Sequence, residues 1–435
     1  MSARDAAPPA RFRHHVLPSG IVLVGEEIDS VRSLAVGTWV RIGARHEQTG
    51  EGGLSHFVEH MVFKGSRSRD AFQIAWSLEA VGGHLDAFTG REATCYYARA
   101  LDEDLDLALD VLADLTLRPR LDPVDVAKEK QVVLEEIHNS EDTPDDRIHD
   151  LFADVVWNGH PLGNRILGSK ETVRAFAPET VAAYHRRHYV APNLLLAIAG
   201  RFDWDHFVSE VEARYADAPA GAPTDGPPLE SSGRAVVHHV EALQQQYLCV
   251  GGPGLPHEHP DRFTLSLLST VLGGGMSSRL FQRVREQEGL AYSVYTYADS
   301  YRDSGMFCAA MNVQPAQGRK ALRLTLEEFD RLATEGLPAE DLAAAKAQLK
   351  GGLLLSLEST SSRMHRIARS QLYAGRIVGV EELVESIERI TSDDVRRVAA
   401  GLLDRDRLSL VALGGSDEDR PYDASDLAAP AGSAA

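Results

Sequence analysis

A short apolar stretch carries the residues with the clearest capacity for chemistry. His56, Glu59 and His60 are three and four residues apart, so in a helix they share one face. The residues between and around them are mostly apolar, which predicts a helix in the protein interior, where imidazoles and a carboxylate need a partner. Two neutral imidazoles at positions i and i+4 can bind one Zn²⁺ ion at about 2.0–2.1 Å.

The position of Glu59 between the two histidines indicates hydrolysis. With a third protein ligand and an open position for water, zinc lowers the pKa of that water toward ~7, and Glu59 could accept its proton. The spacing His-x-x-Glu-His is the inverzincin signature, the reverse of the commoner His-Glu-x-x-His. The alternative is that two core histidines and a glutamate have this spacing by chance. The complete triplet in an apolar helix flanked by glycines favours the metal site.

A second predicted helix offers the third ligand. It begins at Asp122-Pro123, a helix-capping residue followed by proline at the first helical position. Its apolar residues form a stripe that places Glu136 on the flank of the buried face and Glu135 toward solvent. Glu136 is therefore the predicted ligand, and Glu129, seven residues earlier on the same flank, is predicted to orient a ligand. The alternative is that both are surface charges at the margin of the stripe.

Size and composition limit the possible functions. The chain has 435 residues, enough for two cores, with 43% hydrophobic and 25% charged residues. A net charge of −19 argues against a nucleic-acid partner and favours cationic substrates, although it could serve solubility alone. We expect a soluble, cytoplasmic protein without a membrane partner, because no signal-like or membrane-spanning apolar run is present. Its three cysteines are predicted to be reduced thiols.

The order of predicted elements divides the chain into two similar halves. Residues 1–215 form the predicted metal-binding domain, 216–233 an Ala/Pro/Gly/Ser-rich linker, and 234–435 a second domain. Strand and helix patterns recur in the same order in both halves, which indicates duplication of one α/β unit. The second half has no His-x-x-Glu-His motif, since residues 267–272 read Leu-Leu-Ser-Thr-Val-Leu where it would fall. Only the first half is therefore predicted to bind metal.

Two residues of the second half could act on a substrate. Arg285 and Tyr292 are seven residues apart across a glycine-marked turn between helix and strand. Both could face a cleft and donate hydrogen bonds to a polarised carbonyl or carboxylate. An ion-paired arginine and a core tyrosine are an equally reasonable interpretation of the sequence.

Taken together, these residues resemble the pitrilysin-type inverzincin peptidases, in particular the short-chain branch that includes the β-subunit of the mitochondrial processing peptidase and its bacterial relatives. The resemblance covers nearly the whole chain. It implies an α+β fold of two homologous α/β sandwich domains, each a mainly antiparallel sheet with helices packed on it. The two domains would form a clamshell around a chamber, with the active site completed across the cleft.

The resemblance also implies a role for each candidate residue. One Zn²⁺ per chain would be held by His56, His60 and Glu136, with Glu59 as the base and Glu129 as an accessory glutamate. Arg285 and Tyr292 would bind the substrate carbonyl. Peptides would add as a strand to the sheet edge formed by Leu85, Asp86, Ala87, Phe88 and Thr89. Asp86 departs from the family, which usually has Asn here, and its carboxylate lacks the amide donor.

The function predicted from the sequence is that of a zinc endopeptidase acting on short or unfolded peptides, with a homodimer as the expected assembly. A first alternative is a non-catalytic paralogue that serves as a structural or partner subunit; the intact Glu59 argues against it. A second alternative is a metal-dependent hydrolase or lyase of small molecules. Family features in both halves of the chain argue against that one.

Overall fold

The computed structural model describes residues 11–229, 232–415 and 420–429. The strands are β1 (Arg11–Val16), β2 (Val22–Glu27), β3 (Ser33–Val40), β4 (His84–Thr89), β5 (Thr94–Leu101), β6 (Leu194–Gly200), β7 (Val236–His239), β8 (Gln246–Pro253), β9 (Ala291–Ser300), β10 (Gly305–Val313) and β11 (Ser409–Leu413). The α-helices are α1 (Leu54–Val62), α2 (Ala71–Glu79), α3 (Leu105–Leu117), α4 (Pro123–Glu141), α5 (Pro144–Trp157), α6 (Lys170–Ala175), α7 (Pro178–His188), α8 (Trp204–Arg214), α9 (Arg262–Gly273), α10 (Gly318–Glu335), α11 (Ala339–Ser356), α12 (Thr360–Ala374), α13 (Val380–Glu388) and α14 (Ser392–Leu402). Within the described ranges, no helix combines the length and the apolar character needed to cross a membrane.

Each of two compact units is built on one sheet. The first unit contains a six-stranded sheet in the order β1-β2-β6-β3-β5-β4, and the second a five-stranded sheet in the order β7-β11-β8-β10-β9. Without β1, the strands of the first sheet follow the same order as those of the second. β2 pairs in parallel with β6 in the first sheet, and β7 pairs in parallel with β11 in the second. The remaining strand pairs of both sheets are antiparallel. The shared topology supports the predicted duplication.

Both faces of each sheet are covered by helices. In the first unit, α1, α3 and α7 pack on one face of the sheet, and Leu54, Phe57 and Met61 of α1 are fully buried there. In the second unit, α9, α10 and α14 form the corresponding layer, with Leu268 and Phe329 buried. Burial of these apolar faces is the main force that holds each layer on its sheet.

The opposite face of each sheet is covered by a helix from the other half of the sequence. In the second unit, α5 buries Phe152 and Trp157 against strands β8, β10 and β11. In the first unit, α12 buries Met364 and Ile367 against strands β3, β5 and β6. α5 and α12 hold equivalent positions in the two repeats. α5 follows α3 and α4 after the β4–β5 hairpin, and α12 follows α10 and α11 after the β9–β10 hairpin.

The units are therefore not continuous in sequence. The first comprises residues 1–137, 165–226 and 355–378, and the second comprises 138–164, 227–354 and 379–435. The predicted division at a single linker, 216–233, does not describe them, because it assigns α5 to the first domain and α12 to the second. Amphipathic periodicity shows that a helix has an apolar face but not which sheet that face covers. The clamshell arrangement of the domains stays a prediction.

The two helices that the sequence predicts to carry the candidate ligands are α1 and α4. Strands β1 and β2 flank a Pro-Ser-Gly turn, α2 follows the helix of the metal motif, and β4 and β5 form a hairpin. Strand β1 begins at Arg11, the first residue of the described ranges. All three cysteines are free, as predicted, and all three are buried.

Candidate metal centre

The helix that carries the His-x-x-Glu-His motif begins at a tightly packed glycine. Gly53 has φ +93°, and a Cβ at this position would lie 2.6 Å from the carbonyl oxygen of Leu167. Only glycine tolerates both the left-handed backbone and this close approach. The helix has no side-chain cap of its own; instead the buried carboxylate of Glu47 accepts hydrogen bonds from the backbone N–H groups of Gly53 (2.9 Å) and Ser55 (2.8 Å). Glu47 thus fixes the first turn of α1. One of the two groups it binds, the N–H of Ser55, immediately precedes His56.

Donor atoms of His56, His60 and Glu136 converge on one point. The two Nε2 atoms are 3.2 Å apart. Glu136, on α4, places Oε1 3.8 Å from His56 Nε2 and Oε2 3.6 Å from His60 Nε2. The predicted third ligand therefore lies beside the histidine pair, while Glu135 is exposed on the other side of α4.

These separations fit a tetrahedral zinc site. Two nitrogen ligands at 2.0–2.1 Å with a tetrahedral angle lie roughly 3.3 Å apart, close to the spacing of the two Nε2 atoms. Without a cation between them, two imidazole lone pairs at this distance would repel each other or share one proton. Two imidazoles and one carboxylate are also the ligand set of several catalytic zinc sites. The residues present fit the ion that the sequence motif predicts.

Glu129 and Lys64 hold His60 in the orientation that a metal ligand needs. The Nδ1–H group of His60 donates to Glu129 Oε1 at 2.9 Å, and Lys64 Nζ lies 2.7 Å from Glu129 Oε2. Burial opposes the charge on Glu129, but its contacts with His60 and Lys64 lower the pKa of Glu129. Burial also opposes the charge on His60, but the surrounding carboxylates raise the pKa of His60. The side chain of Glu129 is only 4% exposed. Its predicted role as the orienting carboxylate agrees with this geometry.

His56 is prepared for metal binding in a different way. Burial, together with the neighbouring His60, lowers the pKa of His56 from 6.5 to about 4, so His56 is neutral at physiological pH. A neutral imidazole has a lone pair available for a cation. Within the described part of the chain, its Nδ1 atom is buried without a hydrogen-bond partner, so His60 alone is oriented by a carboxylate.

Glu59 is the carboxylate available for proton transfer. Its Oε2 atom accepts a hydrogen bond from the hydroxyl of Thr89 on β4. Burial raises the pKa of Glu59, while the Thr89 hydrogen bond and the charge of His60 oppose the increase. A general base works best when its pKa is close to the working pH, and a raised carboxylate pKa moves in that direction.

The predicted substrate-binding segment forms an open sheet edge next to this site. Among the described residues, β4 is the last strand in its sheet and pairs with β5 alone. Leu85, Ala87 and Thr89 are half-buried and lie on the face toward α1, while Asp86 and Phe88 are exposed on the opposite face. Asp86 accepts a hydrogen bond from the hydroxyl of Tyr97 at 3.0 Å.

Arg285 and Tyr292 lie together in the second unit. Cζ of Arg285 lies 5.7 Å from the centre of the Tyr292 ring and 4.5 Å from that of Phe281, so its guanidinium stacks between two aromatic side chains. Tyr292 is 74% exposed, which excludes the interpretation of a core tyrosine. Nε of Arg285 lies 3.9 Å from a carboxylate oxygen of Glu286.

Other histidines have structural contacts instead. His138 lies 3.4 Å from Asp142, His160 accepts from the backbone N–H of Leu162, and His149 contacts the hydroxyl groups of two tyrosines. A second group of potential ligands, Asp106, His206 and Glu210, lies at the surface of the first unit. There His206 is bound to Asp106 at 2.7 Å and Glu210 to Arg214 at 2.6 Å. Neither arrangement resembles the buried site on α1.

Three functional contacts were not predicted from the sequence. Lys64 is four residues after His60, a spacing that could have suggested a shared helical face. Thr89 was predicted as a substrate contact, but its bond to Glu59 depends on the packing of β4 against α1. Glu47 has no sequence signal, because its role depends on how the preceding loop folds back onto the helix.

A duplicated α/β fold with a His-x-x-Glu-His helix in its first unit defines the class of the inverzincin metallopeptidases. Residues 23–170 match the family described as "Insulinase (Peptidase family M16)", and residues 175–349 match the "Peptidase M16 inactive domain". The chain belongs to this pitrilysin-type M16 peptidase family. The second match begins in the first half of the chain and extends to residue 349 of the half that lacks the metal motif.

Similar proteins occur in several bacteria. An uncharacterized zinc protease of Streptomyces coelicolor is 39% identical, over 92% of this chain and 89% of its own. One from Bacillus subtilis is 37% identical, over 93% of this chain and 99% of its own. One from Mycobacterium tuberculosis strain H37Rv is 38% identical, over 95% and 96%. All three carry the name of zinc protease, which supports protease function and zinc as the metal.

Solved structures support the fold. A crystal structure named as a peptidase M16 inactive domain from Pseudomonas fluorescens aligns with a TM-score of 0.88 at 18% identity, covering 95% of this chain and all of that one. A protease from Helicobacter pylori aligns with a TM-score of 0.86 at 19% identity, covering 94% of this chain and all of that one. They confirm the predicted two-domain α+β fold.

Proposed function

We propose that this chain is a zinc-dependent endopeptidase that hydrolyses short or unfolded peptides, with one Zn²⁺ held by His56, His60 and Glu136. The observation that carries the proposal is the convergence of these three side chains beside Glu59. A bound Zn²⁺ would polarise the peptide carbonyl and lower the pKa of a ligand water toward ~7. The names of the bacterial relatives support the choice of metal.

Glu59 has the position and the environment of a general base. Its carboxylate would accept a proton from the attacking water as the water oxygen bonds to the carbonyl carbon. The same proton would then pass to the amide nitrogen as the C–N bond breaks, which returns Glu59 to its starting state. The hydroxyl of Thr89 holds one carboxylate oxygen throughout.

The second unit would supply donors for the negative charge that develops on the carbonyl oxygen. The guanidinium of Arg285 and the hydroxyl of Tyr292 are the candidates, since the two side chains are adjacent and Tyr292 is exposed. Donors aimed at a developing oxyanion are typically worth a factor of about 10²–10³ in kcat. Tyr292→Phe should therefore lower kcat and leave the zinc content unchanged; an unchanged rate would remove Tyr292 from the mechanism.

Metal analysis and peptide digestion together test the proposal. The purified protein should hold about one zinc per chain and cleave members of a mixed peptide library, with products identified by mass spectrometry. Glu59→Gln should keep the zinc and lose cleavage. Zinc binding by the wild-type protein without any cleavage would instead indicate a non-catalytic subunit.

A pair of neighbouring variants tests the third ligand. Glu136→Gln should lose zinc because it removes a carboxylate that faces the two histidines. Glu135→Gln changes the adjacent, exposed residue in the same way and should keep both zinc and activity. Equal zinc content in the two variants would exclude Glu136 as a ligand.

A further inference from the structure

The backbone of β4 presents alternate residues to the open side of the sheet. The N–H group of Gly90 donates to the carbonyl of Ala93 at 2.8 Å and closes the β4–β5 hairpin. Hydrogen-bonded and non-hydrogen-bonded pairs alternate along an antiparallel ladder. With Thr89 opposite Thr94, the register therefore directs the N–H and C=O groups of Leu85, Ala87 and Thr89 away from β5. These are the backbone groups that an added peptide strand would bind.

One of these outward groups is already occupied. The N–H of Ala87 donates to Oδ1 of the preceding residue, Asp86, at 2.8 Å. The other carboxylate oxygen, Oδ2, accepts from the hydroxyl of Tyr97 at 3.0 Å, and His84 Nε2 lies 3.7 Å from it. Because both oxygens have partners, the carboxylate is held over the Ala87 N–H.

We propose that Asp86 masks the peptide-binding edge and that a peptide strand must displace its carboxylate from the Ala87 N–H in order to dock. This inference rests on the proposed function for the identity of the ligand, but the masking itself is a property of the free protein. A charged group placed on an open strand also discourages unwanted pairing with other chains. Asp86 is thus a specificity-determining residue that selects against weakly pairing segments.

The chemistry of the carboxylate explains why it blocks rather than assists. A peptide strand that adds to β4 brings a carbonyl oxygen toward the Ala87 N–H. An ionised carboxylate has only acceptors, so it competes for this donor and offers no donor to the incoming carbonyl. An asparagine in its place could rotate its amide to donate to the peptide.

Hydrogen exchange of the free protein tests the masking directly. Mass spectrometry of a proteolytic fragment that contains residues 84–89 should show one amide that exchanges more slowly in the wild-type protein than in Asp86→Ala. Asp86→Asn keeps an acceptor oxygen and should retain most of the protection. Equal exchange in the wild-type protein and Asp86→Ala would overturn the proposal, whatever the protein's activity.

Peptide binding tests the consequence. The Glu59→Gln variant, which under the proposed function should bind peptides without turnover, serves as the background. The probe is a fluorescein-labelled peptide from a tryptic digest of β-casein, read by fluorescence anisotropy. Loss of one competing hydrogen bond should lower the Kd of Asp86→Ala roughly two- to tenfold. Tyr97→Phe removes the hydroxyl that donates to Asp86 but keeps the Asp86 carboxylate, so it should lower the Kd by less.

The outcomes separate this inference from the proposed function. A higher Kd for Asp86→Ala would show that Asp86 holds the peptide, and would overturn the masking role. If the wild-type protein neither binds nor cleaves any peptide of the digest, the proposed function fails, and the hydrogen-exchange comparison still decides whether Asp86 masks the edge.

Discussion

The Nδ1 atom of His60 lies 2.9 Å from Oε1 of Glu129, although the two residues are 69 positions apart in the chain. This hydrogen bond fixes the tautomer in which Nε2 carries the lone pair, and it turns that lone pair toward His56 and Glu136. Lys64 completes the arrangement by neutralising the buried carboxylate. A ligand of the candidate metal site is thus oriented by groups that do not themselves reach the site.

Glu129→Gln should weaken zinc binding about ten- to a hundredfold, because removal of an orienting carboxylate usually has an effect of this size. The measurement is the zinc dissociation constant from competition with a chromogenic chelator. Glu135→Gln, exposed on the same helix, is the control and should bind zinc like the wild-type protein. An unchanged dissociation constant in Glu129→Gln would mean that the hydrogen bond has no role in metal binding.

Thr89→Val should shift the acidic limb of the pH–activity profile to higher pH. The Thr89 hydroxyl donates to the carboxylate of Glu59 and lowers its pKa, so its loss raises that pKa further above the ordinary value. A protonated Glu59 cannot act as a base, and activity would be lost at a higher pH than in the wild-type protein. The measurement is kcat/KM as a function of pH. Thr89→Ser keeps the hydroxyl and should restore the wild-type limb.

The unfolding free energy should decrease as the pH rises through neutrality because of Glu47. Burial raises the pKa of this carboxyl from 4.5 to about 7, despite two hydrogen bonds from backbone N–H groups. A raised pKa in the folded state gives a contribution that is complete below pH 4.5 and is lost as the pH rises through about 7. The shift corresponds to roughly 3 kcal/mol at most.

Urea unfolding of the metal-free protein at several pH values measures this contribution. Glu47→Gln cannot ionise, so its stability relative to the wild-type protein should increase between pH 5 and pH 8. Glu47→Ala leaves the N–H groups of Gly53 and Ser55 without their acceptor and should be destabilised by about 1–3 kcal/mol at low pH. If the difference in unfolding free energy between Glu47→Gln and the wild-type protein is constant across this pH range, the prediction is wrong.

Glu26→Gln should destabilise the first unit by about 3–5 kcal/mol, the usual effect of removing one partner from a buried ion pair. Glu26 is completely buried on β2, and it pairs with Arg363 and, at 3.0 Å, with Arg366 of α12. The adjacent Glu27 pairs with the partly exposed Arg13 at 3.1 Å, so Glu27→Gln should cost less than about 1 kcal/mol. Chemical denaturation of both variants provides the comparison, and similar losses would show that α12 is not held by this pair.

The local chemistry of the site could be predicted because a helix fixes the spacing of its own residues. Residues three, four and seven positions apart share a face, and this rule placed His56 beside His60, and Glu129 on the same flank as Glu136. The same periodicity correctly assigned Glu135 to solvent. The duplication was also visible, since the order of elements is a property of the sequence.

The predicted division into two domains failed at α5 and α12 for a physical reason. Each helix has an apolar face, and that face is compatible with either sheet. Which sheet it covers depends on the complementary shape of residues far away in the chain, and the local pattern does not carry that information.

The sequence by itself determined which residues could share a helical face, and with them the candidate metal ligands and the candidate base of the first half. Only the tertiary structure decided which distant groups complete the site: Lys64 with Glu129, Thr89 with Glu59, Glu47 at the start of α1, and the Asp86 carboxylate over the Ala87 N–H. These contacts depend on strand order, register and the packing of α1 and α4 against the sheet. They are therefore set by the burial of the whole core rather than by the period of any single segment.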